Sequence, residues 1–276
     1  MGTLYLVATP IGNLEDISAR ALRVLREVDL IAAEDTRQTR KLLQHYDIDT
    51  PTTSYHEHSK PGKLRRILEA LREGNVAVVS DAGTPALNDP GYQLVVEAIQ
   101  GGYEVSPIPG PSAPVAALVV SGLPTAAFLY LGYLPRKSGE RRRLLEEVAR
   151  MPYTLIFLET PQRLLSALAD IQQELGNRRI AVGRELTKLF EEIFRGDVES
   201  AREHFAGQPP RGEFTLVLEG YITEEEPWTE EQMQLELKNR LDAGGKPSKI
   251  ASQVASESGW TRASVYKLLL ALKEKE

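Results

Sequence analysis

The sequence predicts an α/β fold made of two successive α/β blocks and a small helical tail. Three observations carry that reading. Over residues 1–122 short β-rich runs alternate with helical patterns, which favours a parallel sheet with helices on both faces. Over 123–222 the runs continue, but the last ones follow one another through short links, as antiparallel pairs in a mixed sheet do. Residues 223–276 carry helical patterns only.

In the first block LYLVA (4–8), LIAAED (30–35), VAVVSD (76–81) and YEVSPI (103–108) read as strands. The helix after the first strand has Ser18 as N-cap and Ala21, Leu22, Leu25 and Val28 at helical spacing. GKLRRILEALREG puts Leu64, Ile67, Leu68 and Leu71 on one face and stops at Gly74. The spacing of His56-Glu57-His58 does not suit a helical metal pair, so these residues read as a polar loop after TTSY. In the second block the strands are AFLYLGYL (127–134), TLIFLE (154–159), RIAVGREL (179–186), FEEIFRG (190–196) and EFTLVLEGY (213–221). The helix after TLIFLE has Thr160 as cap and Pro161 at its first position. An acidic linker, TEEEPW, leads to three helices starting at Thr229, Ser248 and Thr261. The first carries a capping box with Gln232. Two short helices joined by SGW give a helix-turn-helix layout, with a plain three-helix cap as the alternative.

The 276 residues are 42% hydrophobic and 26% charged, an ordinary globular profile. No apolar run approaches the roughly 18–20 residues that span a bilayer, and the first residues lack the basic start of a signal peptide. Without cysteine, disulfides, zinc–thiolate sites and cysteine nucleophiles are excluded, and four histidines make a histidine-rich metal site a poor expectation. The net charge of −6 excludes a chain that clings to any nucleic acid, so RNA contact requires local patches. KPGKLRR supplies Lys60, Lys63, Arg65 and Arg66; RKSGERRR supplies Arg136, Lys137, Arg141, Arg142 and Arg143 against Glu140. Either run also fits a solvated helix face.

Four stretches rich in Gly, Pro and acids follow strand ends: ATPIGNLED (8–16), AEDTRQTR (33–40), SDAGTPALNDPG (80–91) and PGPSAPVAA (109–117). In open α/β sheets ligands bind beyond the carboxyl ends of the strands. Gly12, Gly83 and Gly110 permit close backbone approach, and the prolines fix loop shape before binding. Ser112 and Ala113 open a helix whose free N–H groups suit a carboxylate. Asp81 suits a hydroxyl, an amine or a sulfonium-side charge; a local turn onto Gly83 or Thr84 is its alternative. Asp89 and Pro90 read as cap and first residue of the next helix. No G-x-G-x-x-G, Walker A or G-x-S-x-G pattern is present.

VATPIGNLEDIS, AEDTR, VSDAGTPALNDPG, PIPGPSA, GYLPRK, FLETPQRL and RELTKLFEEIFRG, in that order over residues 2–222, together resemble the ribosomal RNA small subunit methyltransferase I family. That family lies in the tetrapyrrole methylase superfamily of non-Rossmann, class III S-adenosylmethionine enzymes. The resemblance implies a two-domain methylase fold, residues 1–122 and 123–222, with the cofactor between the domains and a helix-turn-helix-like tail over 223–276. It implies a cytoplasmic homodimer that methylates the ribose 2′-oxygen of a decoding-region cytidine (cytidine 1402) of 16S rRNA in the 30S subunit. It implies cofactor contacts from Thr9, Pro10, Ile11 and Gly12, from Asp81, Ala82, Gly83 and Thr84, from Pro111, Ser112 and Ala113, and from Glu159, Leu186, Gly212 and Glu213. SDAGTP replaces the superfamily's common Gly-Asp-Pro loop and reads as the RNA-modifying branch.

A ribose hydroxyl is a poor nucleophile, so a base or an alkoxide-stabilising cation is expected. Candidates are Glu34, Asp35 and Arg37 in AEDTR and Glu185 and Lys188 in RELTK, with a lysine of lowered pKa as the attractive base. A helix start for AEDTR and an exposed ion pair for RELTK are the alternatives. This chemistry requires no metal. The rivals are a porphyrinoid- or diphthine-type methylase and a non-catalytic ribosome-binding module.

Overall fold

A computed structural model describes residues 2–56, 61–207, 209–222 and 228–273. The chain forms two compact units, Met1–Tyr221 and Ile222–Glu276. In chain order the first unit runs β1 (Thr3–Val7), a short 3-10 turn (Leu14–Asp16), α1 (Ala19–Glu27), β2 (Leu30–Ala33), α2 (Thr36–His45), β3 (Thr52–Ser54), α3 (Pro61–Glu73), β4 (Val76–Val79), α4 (Tyr92–Gln100), β5 (Glu104–Ile108) and α5 (Ala113–Ser121). It continues through β6 (Phe128–Tyr133), α6 (Ser138–Val148), β7 (Thr154–Glu159), α7 (Leu164–Leu175), β8 (Arg179–Arg184), β9 (Glu192–Asp197), α8 (Val198–Ala206) and β10 (Phe214–Leu218).

The first sheet has the order β3-β2-β4-β1-β5 and every pair is parallel. All its strands therefore end at one edge, and the four loops of interest leave from there. Both faces are covered, as a parallel sheet requires. Alternate residues of β4 divide between the two cores: Ala77 and Val79 pack with α1 and α2, Val76 and Val78 with α3 and α4. Ser18 caps α1 by accepting from the Ala21 amide at 3.0 Å. Thr52–Ser54, ahead of the polar stretch at His56, form β3, a three-residue edge strand absent from the sequence-based strands and paired with β2 from Ile31–Thr52 to Ala33–Ser54. A short polar edge strand has no apolar alternation to reveal it. Glu57 and His58 lie outside the described residues.

The second sheet has the order β6-β7-β10-β8-β9; β6 and β7 are parallel and the remaining pairs antiparallel. One face packs on α6, α7 and α8 around Phe157, Leu168, Phe205 and Phe214. Burying each such side chain contributes about 1.5–3 kcal/mol. The other face receives α5 through Ala117 and Leu118, joined by Ile11 from the loop after β1. That shared cluster fixes the carboxyl edge of the first sheet against the second.

Three expected helix starts move. Thr160 does not cap α7: its hydroxyl accepts from Arg163 Nε at 3.2 Å, a turn closes over 160–163, and α7 starts at Leu164. Asp89 does not cap α4, which begins at Tyr92 behind Gly91 (φ 142) with no side-chain cap. The loop before it coils through left-handed Ala86 (φ 66) and Asn88 (φ 64), which carries Asp89 away from the helix start. In the tail α10 starts at Pro247, one residue before Ser248, because proline suits a first helical turn.

The second unit contains α9 (Glu230–Asp242), α10 (Pro247–Ser258) and α11 (Arg262–Lys273). The capping box between Thr229 and Gln232 is formed, and Thr261 caps α11 by accepting from the Ser264 amide at 3.2 Å. Its core holds Met233, Leu237, Ile250, Val254, Val265 and Leu269. No helix among the described residues is long and apolar enough to cross a membrane.

Candidate active site

The four loops beyond the first sheet are tied to one another by hydrogen bonds. Thr9 and Gly83 exchange two backbone bonds, 2.9 and 3.0 Å long, and the Thr9 hydroxyl donates to the Ser80 carbonyl. The Asp35 amide donates to Asp81 Oδ1 at 3.0 Å, and the Asp81 amide donates to Glu34 Oε2 at 3.2 Å. Asp81 thus bridges to the neighbouring loop and makes no turn onto its own. The Thr84 hydroxyl donates to the Pro111 carbonyl at 3.3 Å. Gly83 sits at φ 82, where glycine is at ease.

These loops and the second sheet enclose a cavity of about 220 Å³. Ile11, Glu34, Asp81–Thr84, Leu87–Asp89 and Ser112–Pro114 line it from the first block, and Tyr130, Tyr133, Leu158, Glu159 and Glu213–Thr215 from the second sheet. Five carboxylates lie on its wall and no lysine, arginine or histidine does. Glu159 is 2% exposed; one oxygen accepts from Arg163 at 2.6 Å and from the Thr160 amide at 2.7 Å. Its second oxygen, Oε2, is buried with no partner among the described residues. An unsatisfied buried carboxylate oxygen costs free energy until a donor reaches it. On the opposite wall α5 starts at Ala113 and the Ser112 hydroxyl makes no capping bond, which leaves the first-turn amides open to an acceptor.

Asp89, which the sequence reading assigns to a helix cap, is the most perturbed acid of this wall. Burial and the nearby Glu34 and Asp81 charges push its carboxyl up to about 6, against a hydrogen bond from Ser80. Burial likewise raises Asp81, opposed by the Asp35 amide. Tyr130 and Tyr133 face the same cavity although they are three apart on β6. A regular strand would send them to opposite faces. The pairing of β6 with β7 shifts between these two residues, and the intervening Gly132 adopts φ 66, a bulge that turns Tyr133 to the side of Tyr130. Burial pushes the Tyr130 hydroxyl up to about 12. No sequence signal marks this pair beyond the glycine itself.

The remaining candidate residues separate from this cavity. Thr9, Pro10 and Gly12 line a second hollow of about 410 Å³, together with Gln38, Thr39, Lys41 and Lys188; Ile11, Asp81, Ala82 and Glu213 are shared by both. Leu186 is buried in the apolar cluster with Ile11 and lines neither. Gly212 lies in a separate groove with Arg184 and Arg211. Pro111 lines neither hollow, and its carbonyl accepts from the Thr84 hydroxyl. Asp35 caps α2 and pairs with Arg37 at 2.7 Å; the Arg37 bonds hold its carboxyl down to about 2. Arg37 itself points into solvent.

Lys188 is not the low-pKa lysine expected. It is partly buried, but bonds to Glu185 (2.8 Å) and Glu213 (3.1 Å) outweigh desolvation and raise its pKa, so it stays charged. Of the basic patches, Arg141 is excluded as an RNA contact: it is 3% exposed, with Nη2 2.5 Å from Asp170, and closes the α6–α7 packing. Arg142 pairs with Glu174, Lys137 with Glu140 and Arg65 with Glu69; Lys63 donates to the Ser54 hydroxyl. Arg66, Arg136 and Arg143 are exposed with no ion pair among the described residues. Lys60 lies outside them. No group of His, Cys, Asp and Glu among the described residues has the arrangement to hold a metal ion.

Residues 3–202 match the family model described as Tetrapyrrole (Corrin/Porphyrin) Methylases. The chain is 48% identical over 273 residues to Ribosomal RNA small subunit methyltransferase I of Halalkalibacterium halodurans, covering 97% of this chain and 94% of that protein. It is 50% identical to the protein of the same name from Thermotoga maritima, over 80% of this chain and 99% of that one. Among solved structures a cobalt precorrin-4 methyltransferase superposes with a TM-score of 0.61 at 16% identity, over 79% of this chain and 94% of that one. A diphthine synthase gives 0.60 at 14%, over 79% and 90%. At such identities these two report the fold alone.

Proposed function

The chain belongs to the tetrapyrrole methylase family, in its ribosomal RNA small subunit methyltransferase I branch, and on that premise we propose that it methylates small-subunit rRNA with S-adenosylmethionine, at the ribose 2′-oxygen of a decoding-region cytidine. The observation that carries the cofactor reading is the acidic cavity with the partnerless Glu159 oxygen. S-adenosylmethionine, when bound, supplies a methyl group activated by its sulfonium. A cavity walled by five carboxylates and no basic side chain favours a cationic ligand. Glu159 Oε2 accepts a donor from that ligand, and the open amides at the start of α5 suit a carboxylate on it. Asp81, Gly83 and Thr84 hold the wall, with Ala82 between them, through their bonds to the adjoining loops.

Toward the RNA, Lys188 acts as a charged donor rather than a base, held at the second hollow by Glu185 and Glu213. Asp89, a wall carboxylate whose raised pKa leaves it ionised at pH 7, is suited to take up a hydroxyl proton. The substrate is the 30S particle, approached by exposed Arg66, Arg136 and Arg143. The working state is a cytoplasmic homodimer without a metal. Helix α5 supports the dimer: it is apolar on all sides, and Val115 (49%) and Val119 (66%) stay exposed although such helices are normally covered.

The test is methyl transfer from labelled S-adenosylmethionine to 30S particles lacking the modification, followed by digestion to nucleosides. Label in 2′-O-methylcytidine supports the reading. Cofactor binding without RNA labelling points to a methylase of another substrate, and no cofactor binding to a ribosome-binding module.

A further inference from the structure

GYLPRK and FLETPQRL meet in the fold. They form an open groove of about 570 Å³ whose walls include Tyr133, Pro135, Arg136, Gln162 and Arg163. Tyr133 belongs both to this groove and to the acidic cavity, so the two hollows are contiguous at its ring. The bulge at Gly132 turns the ring there, and Tyr133 remains 50% exposed. Bulges beside functional sites commonly re-aim one side chain in this way. The bulge is reinforced from outside: a Cβ at Gly132 would overlap the Asn88 side chain, so the strained 86–91 loop packs directly on it.

The charges of the groove sort cleanly. Arg163 is neutralised by Glu159 and donates to the Leu134 carbonyl at 3.1 Å. Arg136 is exposed and pairs with no acid among the described residues. An exposed aromatic ring, a neighbouring free guanidinium and an exposed amide at Gln162 are the elements of a single-stranded nucleotide site: stacking surface, phosphate contact and base-edge contact. An acidic peptide would use the cation but gain little from the ring and amide.

Resting on the rRNA reading above, we propose that this groove holds one unpaired nucleotide of the RNA substrate, its base stacked on Tyr133 and its phosphate on Arg136, beside the nucleotide that enters the acidic cavity. The test uses the full chain with Tyr133→Leu, Tyr133→Phe and Arg136→Gln. It measures KM for 30S particles lacking the modification and, separately, calorimetric affinity for S-adenosylmethionine without RNA. Stacking of this kind is worth about tenfold or more in affinity. Tyr133→Leu is expected to raise KM for 30S by about that factor, several times more than it weakens cofactor binding. Tyr133→Phe, which keeps the ring, should raise KM for 30S by less than Tyr133→Leu does. Arg136→Gln should raise KM and lower the salt dependence of 30S binding by roughly one contact. The proposal is overturned if Tyr133→Leu leaves KM unchanged, or weakens cofactor and 30S equally, or if Arg136→Gln changes neither KM nor salt dependence. A wild-type chain that labels no 30S RNA overturns the rRNA reading itself, and this site with it.

Discussion

Glu159, in the wall of the acidic cavity, is paired with Arg163 at 2.6 Å, yet its second oxygen is buried without a partner among the described residues. The pair therefore fixes the carboxylate and leaves one acceptor for a ligand. Glu159→Gln keeps the shape and removes the charge. It should weaken S-adenosylmethionine by about tenfold, since hydrogen bonds to charged groups contribute about 1.5–3 kcal/mol. Calorimetric titration measures this, with a thermal melt to show that the chain stays folded.

Asp89 gives the site a pH dependence of definite sign. Its carboxyl, raised to about 6, is protonated in the free chain below that pH and ionised above it. A cationic ligand favours the ionised form. Cofactor affinity should therefore rise as pH increases from 5 to 7, with proton release near pH 6. Calorimetry in two buffers of different ionisation enthalpy would detect the released proton, and Asp89→Asn should flatten the profile. The same shift bears on stability with the opposite sign. An acid with a raised folded-state pKa stabilises the fold below its unfolded pKa and loses that contribution as pH rises through 6. Asp89→Asn should accordingly melt higher than wild type at pH 8.

Arg141 separates packing from RNA contact within one basic run. Its pair with Asp170 is buried on the arginine side, at 4% exposure, and largely so on the other, at 13%. Arg141→Gln should cost up to about 3 kcal/mol of stability by leaving Asp170 with the Ser138 hydroxyl but no cation. Arg143→Gln, exposed on the same helix, should leave the melting temperature within about 2 °C while weakening 30S binding at low salt.

Gly132→Ala tests the bulge. Alanine would need φ 66 and would overlap Asn88. A loss of about 1–3 kcal/mol in stability is expected, measured by urea unfolding, with weaker cofactor binding because both Tyr133 and the Asp89 loop move.

The loops that build the cavity are legible in sequence because each couples a strand end to Gly, Pro and acid, and a parallel sheet must bring such loops to one edge. Asp81 is legible for that reason. Asp89 is not: NDPG before an amphipathic helix reads as a cap, and only the left-handed turns at Ala86 and Asn88 reveal that the acid faces inward. Tyr130 and Tyr133 are hidden because strand periodicity assigns them to opposite faces, and the bulge at Gly132 breaks that periodicity. Arg141 and Arg143 look alike in RKSGERRR; the helix period that buries one and exposes the other shows only when α7 brings Asp170 alongside. Lys188 stays charged because Glu185, three residues away, and Glu213, distant in sequence, together reverse the shift expected from burial.

Hydrogen–deuterium exchange of the full chain, with and without saturating S-adenosylmethionine, tests the cofactor site most directly. Slowed exchange at amides 81–84, at 112, 113 and 115, and at 213–215, with α2 unaffected, is the expected result. Protection confined to residues 36–42 at the second hollow, or no protection in any of these segments, would contradict the assignment.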